Sequence, residues 1–587
     1  EMSRGLGDVY KRQGRAVKKY ESCRRLTQQY FSLVSHLSRV RIPPSPITFL
    51  MTKTGRFGTM AFMKQLHHQM AQEKQTTENG AVGYHTSGKH LLDANFAVSS
   101  MRNWSEQRIV KLFAKAYYEN PLLAVKWLFY LRDIRGNGMG ERHTFRICLK
   151  WLMKNHADYA ENVVPLIPEY GRFDDWLSLL DTPVHEKVIQ SVKDQLMADL
   201  DAMKMGGQVS LLAKWMPSCN TSSEATKRQA RVLYQALGML ELEYRKMLSG
   251  IRAYLNVAEV QMSANRWFKI EYSRVTSRAN LLYGNAFLKH DGVRRREFLS
   301  KLTRGEAKIH ADVLFPGDIV AQYYRESSRY MWRMNLQEKN DTLEALWKAL
   351  PDYVQNDENT LVVRDGSGSM MKRVGGTNVT ALQVATALAI YFSERCQGEF
   401  HDQFITFSEH PRLVSLEYTE SLRDKLEICD AYDECANTDV QAVFRLILDT
   451  AVSHHMKQDD LPKNILILSD MEFDAAVRFP GCRRWEWEQS DKCTSLETLF
   501  KKINRAYEAQ GYQMPRLVFW NICSRTNTVP LQQNEAGVAL ISGFSPAVYQ
   551  MVLSNELDPY RCLLEQLNAK RYDMVEQALK ERSGNGL

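Results

Sequence analysis

The stretch LVVRDGSGSMMKRVGGTN, residues 361–378, carries a short β-branched apolar run that stops at Asp365 and continues with serines at alternate positions, Ser367 and Ser369. Such a run, closed by glycines and serines, reads as a buried strand ending in a polar loop. Outward from it, the pattern alternates. TALQVATALAIYFSERC (380–396) has helical spacing and FHDQFITFSE (400–409) reads as a strand. DVQAVFRLILDTAVSHH (439–455) is a second helix and KNILILSDMEF (463–473) a buried strand. SLETLFKKINRAYEAQG (495–511), PRLVFWNIC (515–523), GVALISGFS (537–545) and SPAVYQMVLSN complete the series as helix, strand, strand and helix. Strands alternating with helices of this length predict a mostly parallel, doubly wound α/β domain over residues 351–587, covered on both faces. Ligands of such sheets bind beyond the carboxyl ends of the strands.

That rim gathers a distinctive set of side chains. Asp365, Ser367 and Ser369 follow the first strand, Thr438 in ANTDV precedes a helix, and Asp470 in ILSD ends another strand. Two carboxylates and three hydroxyls are hard oxygen donors that suit Mg²⁺ or Mn²⁺ with waters completing an octahedron. No His or Cys belongs to the set, which disfavours zinc. The constellation resembles the metal-ion-dependent adhesion site of von Willebrand factor A domains. The resemblance implies that Asp365, Ser367, Ser369, Thr438 and Asp470 are the ligands, some through water. It also implies an open position that accepts a carboxylate from a partner protein. The plainer reading is that Asp365 caps a turn and the serines close a loop. Asn521, at the end of a later strand, is a candidate for a hydrogen bond that supports the site.

The first half has a different period. SEQRIVKLFAKAYYEN opens with Ser105 as a candidate N-cap and places Ile109, Leu112 and Phe113 on one stripe. PLLAVKWLFYLRDI begins at Pro121, which suits a first helical turn, and RGNGMG ends it with Gly136, Gly138 and Gly140. Further helices are expected over 160–180, 183–204, 225–248, 250–262 and 293–305. Residues 61–350, with the stack itself over 90–345, read as an α-helical repeat domain of antiparallel, HEAT-like helices. Within it, residues 252–333 are basic and interleaved with aromatics. Arg266, Lys269, Arg274, Arg278, Arg294, Arg295, Arg296, Lys301 and Arg304 are candidate phosphate contacts, with Arg294–Arg296 the best single run. The competing reading makes the aromatics core and the cations a solvated face. Trp215 and Pro217 read as packing a helix end, and Lys214 is either a phosphate contact or a core-edge lysine.

Charge separates the segments. The chain carries +9 overall, and residues 1–60 alone balance at +9. Residues 61–350 carry about +10 and residues 351–587 about −10. The first sixty residues lack a sustained period. They read as a basic arm, a targeting peptide or, preferred, a non-native leader, because EMSRGLGDVYKRQ and SHLSRVRIPPSP resemble translated adapter and transfer-RNA sequence. The native start would then be Met51, Met60 or Met63. No apolar run is long enough for a membrane span. Ten scattered cysteines without a Cys-x-x-Cys pair suit reduced thiols in a cytoplasm.

LRDIRGNGMGERHTFRICLKWL, EYGRFDDWLSLL, AKWMPS, ITFSEHP and LSDMEF resemble the domain of unknown function 2828 family over nearly all of residues 76–570. The order of a helical part and a von Willebrand factor A part also resembles the TROVE proteins, the Ro ribonucleoprotein autoantigens. That resemblance implies a non-enzymatic protein that binds structured or single-stranded RNA through its helical part. The alternative is a protein-interaction scaffold that grips an acidic partner residue at the metal. An enzyme is disfavoured. Ser367 stands where an aspartyl phosphoryl-transfer site would place a second acid, there is no P-loop, and neither His410, His454 nor His455 is placed as a base.

Overall fold

The computed structural model describes residues 74–78, 82–326, 334–354, 360–408, 410–432, 439–473, 496–530, 538–553 and 558–581. Two short hairpins belong to the helical region: β1 (Lys74–Thr76) with β2 (Val82–Tyr84), and β3 (Tyr324–Glu326) with β4 (Met334–Leu336). The main sheet contains β5 (Thr360–Asp365), β6 (Gln403–Phe407), β7 (Leu413–Ser415), β8 (Asn464–Ser469), β9 (Arg516–Asn521) and β10 (Val538–Ser542). Its strand order is β10-β9-β8-β5-β6-β7. All neighbours are parallel except β6 and β7. The chain moves from β5 to one side through β6 and returns to the other side through β8. The seam between β5 and β8 is therefore the topological switch point, where adjoining loops diverge and leave a crevice.

The central strands are apolar because both faces are covered. Every residue of β5 and of β8 is buried. Arg364 is the long cation among them, and its guanidinium is accommodated by the Thr386 hydroxyl at 2.9 Å and the Cys429 carbonyl at 3.2 Å. The expected helices over 380–396, 439–455 and 495–511 are present as Ala381–Ser393, Val440–Ser453 and Leu496–Ala509. The sequence reading missed β7, which is only three residues long, and the helix Leu422–Ala431 behind it.

In the helical region, Ser105 caps Glu106–Glu119 as expected, and Asn120 caps Pro121–Arg132. Two expected helices are corrected. Residues 160–180 form three short helical segments, Glu161–Leu166, Ile167–Tyr170 and Phe173–Leu179, and not one helix, since Pro165 and Pro168 each remove a backbone donor. The helix expected over 225–248 divides into Glu224–Ala236 and Glu241–Tyr254 at Gly238, whose φ is +69°. In the RGNGMG turn, a Cβ on Gly138 would lie 2.4 Å from the Tyr130 carbonyl, so only glycine lets the turn pack on the helix before it.

Helical region and sheet belong to one compact unit. The C-terminal helices Pro559–Leu567 and Asp573–Lys580 return to pack on Pro121–Arg132. Buried Asp133 accepts from both the Arg571 guanidinium and the Tyr572 hydroxyl there. No described helix is long and apolar enough to cross a membrane. The six described cysteines are free thiols.

Candidate functional site

The carboxyl ends of β5 and β8 place Asp365 and Asp470 side by side, both buried. Asp365 closes the loop that follows it, since its Oδ1 accepts from the Ser367 N–H at 2.9 Å. Its Oδ2 accepts from the Ser469 hydroxyl at 2.6 Å. The Ser367 and Ser369 hydroxyls lie 2.9 Å apart, and the Ser369 hydroxyl also reaches Asp470. Asp470 Oδ1 accepts from the Glu472 N–H at 3.2 Å. Four of the five expected ligands are thus gathered. Thr438 lies outside the described residues, just ahead of the helix that Asp439 caps.

Electrostatics mark the same spot. Burial raises the Asp365 carboxyl, with the surrounding hydrogen bonds opposing the rise only in part. Burial and the facing Asp365 carboxylate push Asp470 up to about 7. Two carboxylates buried side by side repel each other unless a cation or a proton is shared between them. Met471 follows with a φ of +62°, a left-handed conformation that is costly for a residue with a long side chain. That strain turns the chain sharply after β8 and holds the Met471 N–H 3.1 Å from the Ser469 hydroxyl.

Two residues beyond the expected set shape the rim. Glu472 is buried, and its Oε1 accepts the Arg525 and Thr526 N–H groups at 2.8 and 2.9 Å. Its Oε2 accepts the Glu78 N–H at 2.8 Å. Glu472 thereby ties the β1–β2 hairpin and the loop after β9 to the site. It also brings Arg525 within 3.7 Å of Asp470, where Glu78 pairs with the same guanidinium. The second acid in the Asp-x-Glu of LSDMEF was the available sequence signal. Asn521 serves a different purpose from the expected one. Its Nδ2 donates to the Phe96 carbonyl at 2.8 Å and its Oδ1 accepts from the Ser524 N–H, fixing the helix His90–Phe96 across the ends of β9 and β10. Ser99 completes that seal with bonds to Ser542 and to the Asn521 carbonyl.

The donor set fits a small hard cation. Among the described residues no three His, Cys, Asp or Glu side chains are grouped as a metal site would group them. A cation here would take oxygens from Asp365, Asp470, Ser367 and Ser369, and the rest from water.

Two family models divide this chain. Domain of unknown function (DUF2828) matches residues 77–170 and 221–359, and Domain of unknown function (DUF7788) matches residues 359–582. The expected reach of the first family to residue 570 is corrected, because the sheet half falls to the second model. An uncharacterized protein of Acanthamoeba polyphaga mimivirus is 28% identical over 532 residues, which is 84% of this chain and 86% of the relative. Among solved structures, the Deinococcus radiodurans RO (RSR) protein aligns with a TM-score of 0.38 and 16% identity over 73% of this chain and 89% of its own.

The basic segment resolves into two classes. Arg295 is removed from the candidate phosphate contacts. It is fully buried, bonds to Asn280 Oδ1 at 3.1 Å, and lies over the rings of Tyr272, Phe287 and Phe298. Arg294 is also turned to structural use, donating to the Phe268 and Ile270 carbonyls at 2.6 and 2.7 Å. Arg274, Arg278, Lys301 and Arg304 pair with Glu271, Asp318, Glu297 and Glu306. Arg266, Lys269 and Arg296 are exposed, and Phe268 beside the first two is 66% exposed. Lys214 pairs with Glu259 at 3.1 Å, the core-edge outcome.

Proposed function

We propose that the C-terminal half is a von Willebrand factor A-type module that binds a divalent cation, and through it an acidic residue of a protein partner. The protein then acts as a binding protein and not as an enzyme. One observation carries this reading. Two buried carboxylates meet at the switch point of a parallel sheet, ringed by hydroxyls, with the Arg525 guanidinium standing off at 3.7 Å from Asp470. Mg²⁺ or Mn²⁺ held by Asp365, Ser367, Ser369 and Asp470, with Thr438 as the fifth ligand, would relieve the repulsion between them. The test is a Mn²⁺ titration followed by electron paramagnetic resonance. A saturable site in the wild type that disappears in Asp365→Asn supports the reading. Equal Mn²⁺ binding by both proteins sinks it.

RNA binding by the helical region is the second reading, and the exposed Arg266 and Lys269 on either side of the exposed Phe268, with exposed Arg296 further along the segment, favour it. Exposed cations next to an exposed ring suit a phosphate backbone and an unpaired base. A gel-shift titration against single-stranded and structured RNA at several salt concentrations tests it. Binding that weakens steeply with salt and is lost when all three cations become Ala supports it. Absence of binding at low salt removes it.

A further inference from the structure

A second concentration of cations lies far along the chain from the basic segment. Three guanidinium groups converge on one carboxylate oxygen. Asp174 Oδ2 has Arg172 at 2.8 Å, Arg146 at 2.9 Å and Arg142 at 3.9 Å. The neighbouring Asp175 is fully buried and takes Arg132 at 2.8 Å and a second bond from Arg146 at 2.6 Å. Four arginines therefore share two acids, a surplus of two positive charges in a space a few ångströms across.

A network that served stability alone would be balanced, since like charges held together at a half-buried position oppose folding. The groups of the cluster shift in opposite directions: burial opposes, but the Asp175 and Asp174 carboxylates raise, the Arg146 guanidinium. Burial and the nearby Arg172 and Arg146 charges depress the Arg142 guanidinium. Burial likewise depresses Arg132, although Asp175 opposes this. Asp174 and Asp175 cannot occupy all the donors that four guanidinium groups present. The side chains of Arg142, Arg146 and Arg172 keep 51%, 29% and 29% of their surface exposed, although Arg146 Nη2 is itself buried with no hydrogen-bond partner beyond its ion pair to Asp174.

The cluster is also rigid. Arg172 stacks on the Trp215 ring with its carbon 4.0 Å from the centroid, so its outer edge is fixed in direction. Arg146 is held by both acids. Arg142 is the loose arm, at the start of the helix His143–Asn155, which has no side-chain cap and no acid in its first turn. The partial positive charge of that helix end adds to the field of the arginines.

We propose that Arg142, Arg146 and Arg172 form a receptor for a phosphate group, beside the wall made by Trp215. Planar guanidinium groups with fixed edges match the oxygens of a phosphate ester in pairs, and the anion neutralises the surplus. The source is a free phosphorylated small molecule or the phosphodiester backbone of RNA, and the two are separated by the choice of probe.

Isothermal titration of the full chain with inorganic pyrophosphate, and separately with a short single-stranded oligoribonucleotide, tests this at low salt. Arg142→Gln is the informative variant because Arg142 makes a single long contact and its loss leaves the Asp174–Asp175 network in place. Lys463→Gln, at an exposed position just before β8, is the surface control. The expected result is binding of at least one probe, weakened about ten-fold in Arg142→Gln, the loss of one charge-assisted contact. Lys463→Gln should bind as the wild type does, and Arg142→Lys should recover part of the loss. Pyrophosphate binding without RNA binding assigns the site to a small phosphorylated ligand, and RNA binding assigns it to the backbone. The proposal is overturned if neither probe binds, or if Arg142→Gln, melting as the wild type does, binds both equally well. RNA binding that ignores Arg142 but is lost with Arg266, Lys269 and Arg296 also overturns it, while leaving the RNA reading of the basic segment intact.

Discussion

Ser469 donates its hydroxyl to Asp365 Oδ2 at 2.6 Å across the seam between β8 and β5, and its Oγ lies 3.1 Å from the Met471 N–H. One side chain thus sets the rotamer of one carboxylate and the turn that presents the other. Ser469→Ala should therefore weaken Mn²⁺ binding by roughly 10- to 100-fold, the range seen when a residue that orients a ligand is removed. The measurement is the Mn²⁺ affinity. An unchanged affinity would show that Asp365 is held by the strand alone.

Asp470→Asn should separate the two roles of that carboxylate. In metal-free protein it removes the repulsion with Asp365, so the urea midpoint should stay level or rise. The wild type should gain about 2.7 kcal/mol when Mn²⁺ is supplied at a hundredfold excess over its dissociation constant. The variant should gain nothing. Denaturation with and without Mn²⁺ checks both arms, and a variant that still gains stability from Mn²⁺ would place the cation elsewhere.

Neighbouring arginines in the run 294–296 should behave in opposite ways. Arg295→Ala empties a fully buried volume against three rings and should cost about 3 kcal/mol of stability. Arg296→Ala, on the exposed side, should stay within about 0.5 kcal/mol. Chemical denaturation of the two variants decides this. Equal costs would mean that burial does not set the role of Arg295.

Asp133→Asn should loosen the return of the C-terminal helices. Asp133 is buried, and its loss as an anion leaves Arg571 and Tyr572 without their shared acceptor. The expected cost is about 3 kcal/mol. Limited proteolysis should then release peptides from residues 559–580 before any from the sheet. Simultaneous cleavage throughout would indicate that this contact is not the weak point.

Thiol chemistry should follow burial. Burial pushes the Cys396 thiol up to about 12 and raises Cys148 further still. A buried thiol with so little thiolate is a poor nucleophile. Iodoacetamide at mildly alkaline pH should leave both unmodified in the native protein and label both after denaturation, as read by mass spectrometry. Rapid native labelling of Cys148 would contradict its place in the core.

Local chemistry made much of this protein legible without a structure. Continuous apolar runs placed β5, β8 and β9, which are covered on both faces, and the 3.6-residue period placed the helices between them, each of which must hide an apolar face. Ser105 and Pro121 marked helix starts, since caps and first turns draw on adjacent residues only. Asp365, Ser367, Ser369 and Asp470 were legible as a group because a parallel sheet sends all its carboxyl ends to one rim. The strand order was not, and it is the order that puts β5 beside β8 and makes their seam a crevice. Charge was legible only as a sum. Whether Arg295 faces phosphate or three rings, and whether four arginines share two acids around Asp174, depends on which helices pack together. A sequence counts charges along one dimension, while electrostatic energy depends on distance and solvent in three. Composition could therefore say that the helical region is basic, and only the tertiary structure decided where its positive charge is spent inside the core and where it is left facing water.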